Sequence, residues 1–348
     1  MKKSRLSSCT VTMVVLTILS EAAASGSRLD LSPDGRQLAY VWQGSLAISP
    51  VEGPTAEVIP QSTGAEYVQW SPTGRHLATV TKAGGRTELK LYSAAEKKTR
   101  GIGGNLRAPF AWREDGNRFA CVHDLPDGGS EIVWYNLAEN GVSFRAALPM
   151  AVTAGAPMVW LPSTDDLAFV ATDHNVYTVE AGEFKKVTTS GDVLGMNLYA
   201  GGKKLIWARR GPNLHYILMS VYAFDLTSRM VERLGFPERV AALNPNPRSA
   251  PDSIDRVELS PDGVRLLIYA NLSSSKAKSR ALYTVSMDGR SARQIQRSTA
   301  PASETIDAAW SRDGKTICVQ FVSAAGHKLF TTAADGTGGR IVRAETTH

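Results

Sequence analysis

Apolar segments recur along this chain, and each follows a short polar turn. Leu31-Ser32-Pro33-Asp34-Gly35 precedes Leu38-Ala39-Tyr40-Val41, and Trp310-Ser311-Arg312-Asp313-Gly314 precedes Ile317-Cys318-Val319. Counted at the turn, the copies fall at positions 35, 74, 116, 164, 202, 263 and 314, spaced 38 to 61 residues apart. Periods near 40–50 residues with strand-like content are typical of propeller blades.

The local chemistry of one copy predicts a strand, a tight turn and a second strand. Proline presets φ at the second turn position, aspartate bonds to its own backbone, and glycine accepts positive φ. Third and fourth strands follow, as in Val176–Val179 and Phe184–Val187. A four-stranded sheet cannot bury both of its faces alone, so the copies are expected to stack in a ring.

The prediction is therefore an all-β propeller with seven four-stranded blades. Six is the alternative count, because the copies at 164 and 202 are degenerate. The propeller is expected to occupy residues 28–344. The expected blades are about 28–60, 65–104, 107–148, 157–188, 193–234, 254–297 and 305–344.

The repeat signature W-S-P-D-G-x-x-L-A-[FY] resembles that of the TolB-like propeller family, which is related to WD-repeat proteins. The similarity extends over residues 28–344. It implies a propeller that binds a partner in the cell envelope, although the same repeat occurs in the propeller domains of peptidases. In TolB an N-terminal α/β domain precedes a similar propeller, whereas here the first repeat is expected to start directly after the signal, so no such domain is expected. The sequence also contains no G-x-S-x-G element of the kind that a serine peptidase uses.

The N-terminus has the three parts of a secretory signal. Lys2, Lys3 and Arg5 precede an apolar run over residues 11–19, and Ala22-Ala23-Ala24 supplies the small residues of a cleavage site. A run of about ten residues is too short to span a bilayer, which needs about 20. We therefore expect a signal peptide over residues 1–24, a periplasmic or secreted product and no membrane span in the mature chain.

Composition and cysteine usage narrow the function further. The formal net charge of +6 is spread along the chain without a basic patch interleaved with aromatic residues, so no nucleic-acid partner is predicted. Cys121 and Cys318 fall inside predicted second strands, where they are expected to be buried and inert, although an exported chain could join them in a disulfide. The repeated tryptophans Trp70, Trp112, Trp160 and Trp310 are interpreted as core between blades rather than as a ligand cage.

Four histidines fall between predicted second and third strands, which should place them on one rim. The candidate ligand- or partner-binding residues of this rim are His123, Asp124, His174, Arg209, Arg210, His215 and His327. Imidazoles titrate near neutral pH and suit a polar binding mouth. The alternative is that these are ordinary polar loop residues. The histidines lack metal-ligand spacing, so no metal, cofactor or catalytic residue is predicted.

These observations favour a monomeric binding scaffold for a protein or peptide partner. The alternative is a propeller enzyme, a lyase or hydrolase, with its site in the mouth of the central channel. A Pro/Asn-rich insertion over about 235–253 is either a docking loop or a plain surface loop.

Overall fold

Seven antiparallel four-stranded sheets form the structure, a computed structural model of the chain. It describes residues 28–346 except 54, 154, 162–165, 200–201, 211–218, 235–252, 275–276 and 299–303. The predicted signal peptide, most of the predicted insertion and His215 lie outside the described residues. The prediction of seven four-stranded blades is confirmed, because every sheet is built from four strands that are consecutive in sequence.

The first four blades span the N-terminal half. Blade 1 has β1 (Leu29–Leu31), β2 (Gln37–Trp42), β3 (Ser45–Pro50) and β4 (Glu57–Val58). Blade 2 has β5 (Ala65–Trp70), β6 (His76–Ala83), β7 (Arg86–Ser93) and β8 (Lys98–Gly104). Blade 3 has β9 (Leu106–Trp112), β10 (Arg118–Asp124), β11 (Ser130–Asn136) and β12 (Gly141–Ala147). Blade 4 has β13 (Met158–Trp160), β14 (Leu167–Val170), β15 (Val176–Glu180) and β16 (Glu183–Lys186).

The last three blades complete the ring. Blade 5 has β17 (Val193–Tyr199), β18 (Lys204–Arg210), β19 (Met219–Asp225) and β20 (Val231–Leu234). Blade 6 has β21 (Ser253–Leu259), β22 (Arg265–Ser274), β23 (Ala277–Ser286) and β24 (Ala292–Ser298). Blade 7 has β25 (Thr305–Trp310), β26 (Thr316–Ser323), β27 (Gly326–Ala333) and β28 (Arg340–Thr346). No described helix is long and apolar enough to cross a membrane.

The Ser-Pro-Asp-Gly turns are held by their own side chains. In blade 6, Ser260 Oγ donates to Asp262 Oδ1 at 2.6 Å, and the backbone N–H of Val264 donates to the same carboxylate at 3.0 Å. Gly263 has a φ of 70°, which a residue with a Cβ adopts only with strain. Asp34 and Asp313 repeat this pattern, as expected for turn formers.

Apolar clusters between neighbouring blades form the core. One cluster joins blades 2 and 3 through Leu91, Phe119 and Trp112, and another joins blades 3 and 4 through Trp134 and Trp160. Trp70, Trp112 and Trp160 are buried as predicted, whereas Trp310 is half-buried and borders the central channel.

The inner strands of blades 5 and 6 approach each other most closely. A Cβ on Gly195 of β17 would lie 1.9 Å from the carbonyl oxygen of Val257 in β21. The neighbouring backbones therefore meet where glycine leaves room, and the side chain of Asn197 donates to the carbonyl oxygen of Leu259 at 3.2 Å.

Among the described residues, no strand is shared between blades 7 and 1, where the ring closes. An apolar cluster crosses this junction, and its members include Leu29, Leu38, Cys318 and Leu329. The backbone N–H of Arg28 also donates to Asp307 Oδ2 of blade 7 at 2.6 Å. Packing and side-chain hydrogen bonds therefore hold together the one pair of neighbouring blades that the chain itself does not connect.

Candidate ligand site in the central channel

The first strand of each blade faces a central channel, which contains a cavity of about 560 Å³. The lining extends outward to connections between blades 3 and 4, where Thr153 and Gly155 lie, and to the β14–β15 turn with His174. These connections lie at the end of the channel where the first strands begin, here called the loop face. The Ser-Pro-Asp-Gly turns lie at the opposite end, here called the turn face.

β-Bulges help to shape the cavity wall. Pairing between the first and second strands shifts register near Ala108, at Leu194 and at Asp255, in blades 3, 5 and 6. All three residues stand eight positions before the turn glycine of their blade, which is Gly116, Gly202 or Gly263, and all three line the cavity. A bulge redirects a side chain that would otherwise follow the alternation of the strand. The same repeat position therefore places an apolar side chain in the cavity wall in blades 3 and 5 and a carboxylate in blade 6.

One sector of the channel carries a charged cluster on blades 6 and 7. The guanidinium of Arg256 in β21 contacts Glu258 Oε1 and lies 3.2 Å from Asp307 Oδ1 in β25. The same guanidinium donates to the hydroxyl oxygen of Tyr269 at 3.0 Å and lies 4.3 Å from the centre of that ring. The cluster thus combines an ion pair with a cation–π contact on the adjacent strands β21 and β22 of blade 6. Asp307 connects it to blade 7.

Asp30 extends the polar sector into blade 1. Its Oδ2 accepts a hydrogen bond from the backbone N–H of Trp70 in blade 2 at 2.6 Å, and its Oδ1 accepts one from Leu31 at 2.9 Å. Asp307 accepts from blade 1 in the same way, through the backbone N–H of Arg28. Carboxylates on two inner strands therefore line or border the channel and also fasten each blade to the next.

Burial changes the acid strength of these groups. Burial raises the pKa of Asp30 to about 7, even though its two backbone hydrogen bonds act in the opposite direction. Burial also raises the pKa of Glu258, because it outweighs the attraction of Arg256. For Arg256, burial alone would lower the pKa, but Glu258, Tyr269 and Asp307 together raise it, so the guanidinium stays charged. The polar sector thus combines a permanent cation with carboxylates whose pKa values are raised by burial.

The opposite sector of the cavity is mainly apolar and aromatic, with Gln69 and His174 among its polar members. Tyr67 and Phe110 are buried in the wall, and Pro109, Met158 and Leu194 continue the surface across blades 3 to 5. A ligand in this cavity therefore meets an apolar wall on one side and a charged wall on the other, which is the composition expected of a specific binding pocket.

The turn face of the channel is bridged. Arg312, in the turn of blade 7, donates from Nη1 to the carbonyl oxygen of Pro72 in blade 2 at 2.6 Å. Its Nη2 lies 3.7 Å from Glu114 in blade 3. The side chain passes blade 1, so the turn face is narrowed by contacts across the ring.

The predicted rim residues that the structure describes have different surroundings. His123 Nδ1 lies 2.8 Å from Glu131 Oε1, and Asp124 accepts from Arg107 Nε at 2.7 Å, both within blade 3. His174 occupies the β14–β15 turn with a φ of 54° and lines the cavity. Of the predicted rim residues that the structure describes, His174 is thus the one that borders the channel.

The remaining predicted rim residues have other surroundings. Arg209 pairs with Asp192, with contacts of 2.7 and 2.9 Å, and lies over the ring of Tyr222. Arg210 lies at the end of β18, and His215 is outside the described residues. His327 is not in a loop, because β27 begins at Gly326, and blade 1 covers its imidazole to 2% exposure.

Within the described part of the chain, no three His, Cys, Asp or Glu side chains are grouped as metal ligands. Cys121 and Cys318 are free and buried in blades 3 and 7, so the disulfide considered from the sequence is absent. Burial raises the pKa of the Cys318 thiol to about 12, which keeps it protonated at neutral pH.

No protein-family model and no curated protein matches this chain. Solved structures share its fold. TolB from Acinetobacter baumannii is 18% identical with a TM-score of 0.50, and the alignment covers 76% of this chain and 62% of TolB. The tricorn protease is 15% identical with a TM-score of 0.61, over 91% of this chain and 34% of the protease.

The β-propeller domain of the Trilobed protease from Pyrococcus furiosus matches over nearly its whole length. It is 13% identical with a TM-score of 0.60, over 92% of this chain and 96% of that domain. The shared feature is the propeller fold. The chain spans less than two thirds of TolB and about a third of the tricorn protease.

The sequence analysis missed the charged cluster. Asp30, Glu258 and Asp307 each interrupt an apolar first strand, in Leu-Asp-Leu, Val-Glu-Leu and Ile-Asp-Ala. Charged residues are rarely buried without a partner, so a carboxylate inside an otherwise apolar inner strand indicates the channel wall. That signal is present in the sequence of blades 1, 6 and 7.

Proposed function

We propose that this protein is an exported β-propeller scaffold that binds a segment of a protein or peptide partner in its central channel. The observation that supports this proposal is the cavity of about 560 Å³, which has a mainly apolar wall on blades 2 to 5 and charged residues on blades 6 and 1. A cavity of this size accommodates one or two side chains of a docked segment. The N-terminal signal pattern supports export, and the propeller fold of the solved neighbours supports a scaffold.

The charges of the wall favour a segment with a basic side chain. Asp30, Asp255 and Glu258 line the cavity together with one guanidinium, that of Arg256, among the described lining residues. A positively charged group that enters this sector would lose part of its hydration shell, and contacts with the carboxylates would compensate for that loss. The same positive charge would favour the ionised form of Asp30. The proposed ligand therefore presents an apolar side chain next to a lysine or arginine.

A peptide-display selection tests the proposal. Peptides selected on the protein purified from the exported fraction, with Ser25 as its first residue, should bind with 1:1 stoichiometry by fluorescence polarisation. Thr172→Trp places a large ring at the exposed mouth of the cavity and should weaken binding at least tenfold, about 1.4 kcal/mol. Replacing the basic residue of the peptide by norleucine should have a similar effect.

Val142→Trp is the matched control, because Val142 is exposed on the outer strand of blade 3. It should leave the dissociation constant unchanged. Selected peptides that bind wild type and Thr172→Trp equally, or a selection that yields no binder, would refute the channel as the binding site.

A further inference from the structure

The junction between blades 7 and 1 becomes polar toward the loop face. There His327, in β27, stacks on Trp42 of blade 1, with ring centres 4.2 Å apart and planes inclined by 21°. The ring of Tyr40 lies 5.5 Å away, also on blade 1. The imidazole thus belongs to one blade while its ring contacts belong to the other.

A single glutamine joins the imidazole to the neighbouring backbone. Gln320 Nε2 donates to the carbonyl oxygen of Val41 at 2.8 Å, across the junction, and lies 3.1 Å from His327 Nε2. The bond to Val41 fixes the orientation of the amide, so its NH₂ group faces the imidazole. His327 Nε2 must then accept a hydrogen bond, which requires the neutral imidazole with its proton on Nδ1.

Protonation of His327 conflicts with this arrangement. A hydrogen on Nε2 would face the NH₂ group of Gln320. Turning the amide over would relieve the clash but would break the bond to Val41. Either outcome removes a hydrogen bond that crosses the junction.

The surroundings offer the imidazolium little compensation. Gln320 Oε1 and His327 Nδ1 are buried atoms without a hydrogen-bond partner among the described residues. Glu345 is the register partner of His327 on β28, but its carboxylate is engaged by Arg343, with Nε 2.5 Å from Oε1. Burial lowers the pKa of His327 to about 4; Glu345 raises it and Arg343 lowers it further.

We propose that the junction between blades 7 and 1 is an acid-sensitive latch, in which protonation of His327 breaks the Gln320–Val41 bridge and opens the ring where the chain does not connect neighbouring blades. The other junctions are held by a continuous backbone as well as by packing. Acidification is therefore expected to act locally at this junction before it affects the other blades.

The expected size of the effect follows from proton linkage. An open junction exposes an imidazole with a pKa near 6.5, and the closed one has a pKa near 4. Opening at pH 5.0 should then be about 30-fold more favourable than at pH 7.5. Hydrogen–deuterium exchange with mass spectrometry, corrected for the intrinsic pH dependence of exchange, measures this ratio segment by segment.

In wild type, amides of β2, β26 and β27 should lose about 30-fold protection at pH 5.0, whereas those of blades 3 and 4 should change less than threefold. His327→Phe retains a ring against Trp42 and cannot titrate, so it should abolish the loss; His327→Gln serves if that variant does not fold. His76→Gln is the matched control, because His76 stacks near Trp112 across the connected junction of blades 2 and 3. It should retain the acid response at the junction of blades 7 and 1.

The proposal is overturned if acid-induced exchange in wild type is uniform across blades, or if His327→Phe and His327→Gln respond like wild type. If both variants fail to fold, the distribution of acid-induced exchange over the blades of wild type decides the test by itself. None of these readouts involves a ligand, so the latch and the proposed peptide binding stand or fall separately.

Discussion

At the scale of single residues, Asp30 both holds blade 1 against blade 2 and lines the channel. The hydrogen bond that it accepts from the backbone N–H of Trp70 holds β1 against β5, while burial disfavours its charged form. A carboxylate used in this way reports on its surroundings: any positive group that enters the channel beside it will shift its protonation. Ligand binding and fold stability are therefore expected to respond to the same proton.

The pH dependence of stability gives a direct test of Asp30. Because its pKa is raised from 3.8 to about 7, the folded protein retains a proton that the unfolded chain releases. The free energy of unfolding contributed by Asp30 is therefore greatest at low pH and is lost as pH rises toward 7. Between pH 5 and 8 the wild type should lose roughly 2 kcal/mol that Asp30→Asn does not lose, measured by urea unfolding.

Asp34→Asn is the control for this prediction. Hydrogen bonds from Ser32 and Arg36 lower the pKa of Asp34 in its exposed turn, so its contribution changes only at more acidic pH. It should retain the wild-type slope between pH 5 and 8. Equal slopes for wild type and Asp30→Asn would show that Asp30 does not hold the proton.

At the scale of strands, contact between inner strands limits what the sequence tolerates. β17 and β21 approach until the carbonyl oxygen of Val257 lies 1.9 Å from where a Cβ of residue 195 would be, so this pair of blades has no layer of side chains between them at that point. Elsewhere clusters of large side chains fill the same space. The spacing of blades around the channel is thus set locally by residue size.

Gly195→Ala should therefore destabilise the protein by about 2 kcal/mol, because the added methyl group forces β17 and β21 apart. Gly104→Ala is the matched control in β8, where an added Cβ meets no atom within 4 Å. It should change the free energy of unfolding by less than about 0.5 kcal/mol in urea titrations. A Gly195→Ala variant as stable as Gly104→Ala would contradict the close approach.

The strands also show what could be predicted from the sequence. The seven copies, the turn role of Asp34 and Asp313 and the burial of Trp70 and Trp112 follow from local chemistry that repeats, so they were predicted correctly. His327 was wrongly assigned to a rim loop, because the two-residue turn after β26 lets β27 begin at Gly326 and places the imidazole under Trp42. The cluster around Arg256 depends on contacts between blades, which a repeat pattern does not encode.

At the scale of the whole molecule, the ring is a closed arrangement made from an open chain. Six junctions are crossed by backbone, whereas the seventh depends on the cluster around Leu29 and Cys318 and on the bonds of Asp307 and Gln320. In the unfolded state nothing holds blades 7 and 1 near each other. Folding must therefore offset the whole loss of chain entropy that accompanies closure of the ring.

Covalent closure should therefore stabilise the protein. Joining Thr346 to Arg28 through a six-residue Gly/Ser linker, the spacing between Val58 and Ala65 at the first junction, should raise the free energy of unfolding by about 2–4 kcal/mol. A linear chain with the same linker appended at its C-terminus is the control for urea unfolding. Equal stability of the cyclic and linear forms would indicate that the ends are already constrained before folding.

The bridge made by Arg312 narrows the turn face of the channel. With Arg312 of blade 7 in contact with Pro72 and Glu114, we expect the proposed peptide to enter and leave through the loop face. The channel would then act as a socket for a free end or a tight loop, and the time that the peptide stays bound would be set by how fast it withdraws through that one opening.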